Sequence, residues 1–116
     1  MIAMLALATT GLARAADDEL VRRGEAVYRG HCVQCHGDNA DGRGPLAARF
    51  RPPPANLRAS ARTDDYKKKI ITLGGKAMGR SDVMPAWGLE LSPAEIAALV
   101  GYLRRIADER KEAPHG

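Results

Sequence analysis

Apolar positions repeat at helical spacing in three stretches of the chain, and nowhere do they alternate as a half-buried strand would. The first stretch runs from Asp17 to about Arg29: Leu20, Val21, Val27 and Tyr28 share a face behind the acidic start Asp17-Asp18-Glu19. Gly24 lies on that inner face and predicts that another helix crosses close by. The second stretch spans Thr63 to Leu73, with Tyr66, Ile70 and Leu73 inward. Its Lys67, Lys68 and Lys69 fall mostly on the outer side, where Asp64 and Asp65 can pair with them at i,i+4, and Gly74-Gly75 stops it. The third is the clearest. Ser92 caps, Pro93 takes the first helical position and Glu95 completes a capping box. Ile96, Leu99, Val100, Leu103, Ile106 and Ala107 then form a wide apolar face that carries the helix to about Arg110, before Pro114 and Gly116 leave a frayed tail.

Between the first two helices, Gly42, Gly44, Pro45 and Pro52-Pro53-Pro54 exclude a long regular element from Gly37 to Ala61. A loop of that length in a small domain has a function, and the expectation is that it wraps around something. Ahead of the first helix, an apolar run from Ile2 to about Leu12 ends in Ala13-Arg14-Ala15, small residues where a signal peptidase cuts. The run is too short for the ~20 residues that span a bilayer. It reads as an export leader over residues 1–15, with one domain from 16 to 116 and no membrane span once the leader is removed; no Lys or Arg precedes the run, so the true start could lie upstream.

At 116 residues and a formal net charge of +4, the chain has room for one small all-α domain with a mildly basic surface. No basic stretch is interleaved with aromatic residues, which argues against nucleic acid as a partner. One Trp, three Tyr and one Phe supply little bulk for a core, and the two cysteines sit too close together to form a disulfide framework. Something besides the side chains must stabilise the fold.

Both cysteines lie in His31-Cys32-Val33-Gln34-Cys35-His36-Gly37. A zinc site needs two further ligands, and only His31, beside Cys32, and His115, in the tail, remain among the strong candidates. A thioredoxin-like redox pair needs a strand–helix–strand setting that this pattern lacks. Cys-x-x-Cys-His is also the signature of covalent haem attachment, in which two thiols on one turn add to the vinyl groups of a porphyrin and the next histidine faces the iron. Haem iron of this kind takes a second axial ligand. Met84, in Val83-Met84-Pro85-Ala86-Trp87-Gly88, is favoured over Met78 because Pro85 holds its turn extended.

The chain resembles the class I cytochromes c through "GEAVYRGHCVQCHG", "MPAWG" and "LSPAEIAALVGYLRRI", and the stretch "RPPPANL" is similar to that of the small bacterial periplasmic monohaem members. The resemblance implies a fold of three to four helices and long loops around one covalently bound haem c. Cys32 and Cys35 would form the thioethers, and His36 and Met84 the axial ligands. It also implies that the first and last helices cross where Gly24 and Tyr28 meet Leu99 and Tyr102, and that the carbonyl of Pro45 accepts a hydrogen bond from His36.

Trp87 either bonds a haem propionate or packs beside Met84. Arg49 and Arg51 could pair with propionates, though solvated surface positions suit them better. Lys67 to Lys69 are a candidate docking patch for an acidic partner, set against the plainer reading of a wet helix face. His31 and His115 need no role. The resulting expectation is a periplasmic carrier, not itself an enzyme, that passes single electrons between redox partner proteins as a monomer or as part of a complex. Two alternatives are a haem c subunit of a larger dehydrogenase or oxidase complex, and a haem enzyme or sensor whose sixth ligand is labile because Met84 does not bind.

Overall fold

The computed structural model describes residues 2–113, and their side chains from Ala8 onward; Pro114, His115 and Gly116, read above as a tail, lie outside the described residues. Four α-helices, α1 (Ile2–His31), α2 (Val33–His36), α3 (Asp64–Leu73) and α4 (Pro93–Glu112), are joined by loops that carry single 3-10 turns. No strand occurs among the described residues, and none of their helices is long and apolar enough to cross a membrane.

α1 starts well before Asp17, where the periodicity places it. Apart from Gly11, nothing between Ile2 and Gly24 disfavours helix, so the alanine- and leucine-rich first half propagates into the amphipathic second half without a break. The two halves differ in packing. Residues 8–20 are exposed, whereas Gly24, Val27 and Tyr28 are buried against α4. Arg105 of α4 reaches Asp17 and Asp18 at 3.1 and 3.0 Å, an exposed pairing one turn or more beyond the helix crossing.

α4 forms as its pattern demands. The Ser92 hydroxyl accepts from the Glu95 amide at 3.1 Å, and the Glu95 carboxylate accepts from the Ser92 amide at 3.0 Å, so two otherwise orphaned donors are satisfied. The six predicted apolar positions are all buried, together with Ala98 and Tyr102. α1 crosses α4 at Gly24, which lies against the Ala98 carbonyl and the Tyr102 side chain, while the rings of Tyr28 and Tyr102 pack 5.4 Å apart. Leu99 is buried in the same core.

α3 is capped by Thr63, whose hydroxyl accepts from the Tyr66 amide at 3.1 Å, and ends at Gly74 with a φ of 85°. Its inward face differs from the expected one. Lys67 and Ile71 are buried, Tyr66 and Ile70 are only half-buried, and Leu73 is 53% exposed. The reason is how α3 lies on α4: its Lys67 and Ile71 side faces inward, with Asp64 and Arg104 paired at the exposed rim of the contact. The methylene stem of Lys67 serves there as apolar filling, with Asp64 and Asp108 near enough to favour its charge. Of the three lysines read as an outer patch, then, Lys67 is inside and Lys69 is paired with Asp65 at 3.1 Å.

Candidate haem attachment site

The attachment motif begins where α1 ends. Cys32 still donates its amide to the Tyr28 carbonyl at 2.9 Å; α2 then makes one further turn, with His36 donating to Cys32 at 2.9 Å and Gly37 to Val33 at 2.8 Å. Gly37 closes the turn at a φ of 87°, a conformation costly for any residue with a Cβ. The buried Tyr28 hydroxyl donates to the Gly37 carbonyl, which ties the α1–α4 crossing directly to the end of the motif. Cys32 and Cys35 therefore sit one turn apart as free thiols, and burial, reinforced by Cys35, pushes the Cys32 thiol up to about 12.

The loop after the motif folds back along it. Gly42 donates to the His36 carbonyl at 2.8 Å, Gly44 to Cys35 at 3.1 Å and Leu46 to Gln34 at 2.9 Å. A Cβ on Gly44 would come within 2.4 Å of the Gln34 oxygen, so only glycine permits this approach. Farther along, Leu57 donates to the Ala40 carbonyl at 2.8 Å, and Asn56 caps the next turn by accepting from the amides of Arg58 and Ala59. Together these contacts present the carbonyl of Ala55 to His36, whose Nδ1 lies 3.0 Å from it.

The acceptor for His36 is thus Ala55 and not Pro45. Gly44 and Leu46, on either side of Pro45, are bonded to the back of the motif, and Pro45 itself is held exposed. A carbonyl can only accept, so Nδ1 carries the proton and Nε2 keeps its lone pair for a metal. Burial lowers the His36 pKa, the Ala55 bond offsets part of that, and the ring is neutral near pH 7 as a ligand must be.

Farther along the chain, Gly74 and Gly75 receive the Met84 loop. Gly75 donates to the Met84 carbonyl at 3.1 Å, and its missing Cβ leaves room for the Ser81 carbonyl and the Met84 side chain. Met84 is half-buried and packs against the core, whereas Met78 belongs to a separate 3-10 turn, Lys76–Met78. Trp87 also packs on the core and meets His31 edge-on, with ring centroids 5.2 Å apart. Arg51 donates to the carbonyls of Ala48 and Phe50 in its own loop.

The donor set fits haem c. Two unpaired thiols one turn apart, a neutral imidazole with Nε2 free, and a thioether packed on the core are what covalent attachment and two axial bonds require. The surrounding side chains fit as well: Val33, Leu57, Ile70, Met84 and Trp87 pack on the core but are incompletely covered, which leaves apolar surface for a porphyrin. Three features escaped the sequence reading: the Ala55 carbonyl, the Tyr28–Gly37 bond and the His31–Trp87 contact. Asn56, a capping residue directly after a proline run, was the one local signal for the first. The other two join residues that only the folded chain brings together.

Helices crossing at a glycine, a Cys-x-x-Cys-His turn and a methionine loop define a c-type cytochrome, a class whose members hold haem c. Residues 19–103 match the family model described as "Cytochrome C oxidase, cbb3-type, subunit III", and the chain belongs to that family. It is 30% identical over 93 residues to the cbb3-type cytochrome c oxidase subunit CcoP of Azospirillum brasilense, covering 80% of this chain and 30% of that one. It is 34% identical over 96 residues to CcoP of Azospirillum sp. (strain B510), covering 80% and 31%. With subunit FixP of Azorhizobium caulinodans it shares 31% over 90 residues, covering 78% and 28%. The chain thus spans less than a third of the length of these relatives. No solved structure matches it.

Proposed function

We propose that this chain relays single electrons as a haem c subunit of an oxidase complex of the cbb3 type. The observation that carries this reading is the match of residues 19–103 to the subunit III family, whose region of similarity contains every residue of the site. It favours a complex-bound relay over the freely diffusing carrier that the sequence alone suggested.

In this reading Cys32 and Cys35 would hold the haem through thioether bonds, and His36 and Met84 would be the ligands of its iron. Bound there, haem c supplies a one-electron iron couple, whose potential the methionine raises relative to a second histidine. The chain's own residues do the rest. Ala55 orients the imidazole and increases its basicity. Gly74 and Gly75 let the Met84 loop approach, and Trp87, packed on the core in the same loop, would border the group.

The charge distribution supports an acidic partner surface, though not through Lys67 to Lys69. Between Arg43 and Arg80 the only acidic residues are Asp64 and Asp65, and these are held by Arg104 and Lys69. Arg43, Arg49, Arg51, Arg62 and Arg80 have no ion pair among the described residues, whereas Arg22, Arg23, Arg29, Arg104 and Arg105 on α1 and α4 do. The loops around the site are therefore the unneutralised face. The exposure of residues 8–20 supports cleavage of the leader before Ala16 and a periplasmic location.

The test is co-purification. Affinity-tagged protein from its own host, extracted and washed at high salt, is expected to bring oxidase subunits with it. Recovery of all the haem-bearing chain as a free monomer would return the reading to a diffusing carrier.

A further inference from the structure

His31 and Trp87 come from different segments of the site, the end of α1 and the loop that carries Met84. His31 is the last residue of α1, directly before Cys32, and its Nδ1 lies 3.0 Å from the Val27 carbonyl, which fixes the plane of the ring. Trp87 stands three residues beyond Met84, in the 3-10 turn Trp87–Leu89. The two rings meet at 81° with centroids 5.2 Å apart, the edge-on arrangement that aromatic quadrupoles favour.

The other holds on this loop lead back to α3. Gly75 donates to the Met84 carbonyl, and Gly88 lies against Thr72. Those contacts fix the loop on its own side of the site. Trp87 reaches across to the end of α1, and the residue it meets there is bonded covalently to the first attachment cysteine.

We propose that His31 is a positioning residue for Met84: its edge contact with Trp87 holds the Met84 loop closed against the attachment motif. The proposal rests on the reading of Met84 as the second axial ligand. Displacing that ligand requires the loop to swing away, and the swing breaks the ring contact. Without the contact, the open loop is populated more and an external ligand competes more successfully.

The experiment titrates the oxidised holoprotein with imidazole and follows the weak long-wavelength absorption band that marks methionine on ferric haem. His31→Ala is expected to bind imidazole about fivefold more tightly than the parent, the size of one lost aromatic edge contact. Its covalent haem content and helix content should be unchanged. His31→Phe keeps a ring in place and is expected to restore the parent affinity. An unchanged imidazole affinity in His31→Ala overturns the proposal, as does a His31→Phe protein that behaves like His31→Ala, because the ring would then not be the agent. Met84→Ala separates the two possible failures. If it loses the band while His31→Ala titrates like the parent, only the positioning role is wrong; if it keeps the band, the reading of Met84 is wrong and this role goes with it.

Discussion

Gly24 lies so close to Ala98 that a Cβ built on it would stand 2.0 Å from the Ala98 carbonyl oxygen and 2.8 Å from the Cβ of Tyr102. Two helix backbones in contact at that point set the angle of α1, and through the Tyr28–Gly37 bond they set the position of the motif.

Gly24→Ala is therefore expected to push the helices apart and to cost about 1–3 kcal/mol or more, the usual penalty of overpacking. Gly30 provides the control. It lies on the same helix, a Cβ there meets nothing within 4 Å, and Gly30→Ala should stabilise by about 0.5–1 kcal/mol through helix propensity alone. Thermal unfolding of the two holoproteins should give shifts of opposite sign, and a Gly24→Ala protein as stable as the parent would refute the close crossing.

Legibility followed the range of the interaction. α4 could be read almost residue by residue, because its cap and its apolar face are local properties of Ser92 to Ala107. The motif could be read because its chemistry needs adjacent residues. What could not be read depended on tertiary contact. Lys67 has the sequence context of a surface lysine and is inside because α3 lays that side on α4, whose residues lie far along the chain. Pro45 and Ala55 are both carbonyls in a loop without periodicity, and hydrogen bonds at Gly42, Gly44 and Leu46 decide which one faces His36. α1 starts earlier than its amphipathic pattern for a simpler reason: the alanine- and leucine-rich run before Asp17 has no inward face to read, but nothing in it stops a helix.

Asn56 is the residue that holds the Ala55 carbonyl in place, because its side chain accepts from the amides of Arg58 at 3.1 Å and Ala59 at 3.3 Å. Asn56→Ala should cost about 1 kcal/mol as a lost cap, a fall of roughly 4–8 °C in Tm for a domain of this size. It should also raise the reduction potential, because a less firmly bonded imidazole is a weaker donor to ferric iron. Asn56→Asp keeps the acceptor and should stay near the parent in both. A redox titration in which Asn56→Ala matches the parent would detach Ala55 from any influence on the iron.

Lys67, only 6% exposed, has its pKa lowered from the usual 10.5, chiefly by burial, with Asp64 and Asp108 opposing the shift. The folded state thus binds this proton less readily than the unfolded chain does, and the cost of burying the charge applies in full below the folded pKa. It fades as pH rises from that value through 10.5, and is gone above it, where both states are neutral. Lys67→Met fills the same space without the charge. It should melt higher than the parent near pH 7, and the gap should narrow as pH rises through the alkaline range. A gap that is constant with pH would mean that the ammonium is solvated in the fold, and a lower Tm at neutral pH would mean that Asp64 and Asp108 more than offset its burial.

The strongest dependence should be on the haem itself. Leu73 is 53% exposed and Val83 43%, while Val33, Leu57, Ile70, Met84 and Trp87 are only partly covered, so apolar side chains ring the site without closing it. The core that is fully buried comes mostly from α4 and its crossing with α1, and two crossed helices do not bury enough surface to offset the ordering of the long loop between Gly37 and Ala61. A porphyrin placed against these residues would supply the missing apolar plate and, through two thioethers and two axial bonds, would fasten the loops that carry them. A Cys32→Ser/Cys35→Ser chain that takes up no haem should therefore show residual helix but no cooperative thermal transition and no dispersed amide spectrum. A sharp transition in that variant would mean that the polypeptide alone closes its core, and that the half-covered ring of side chains is not waiting for a cofactor.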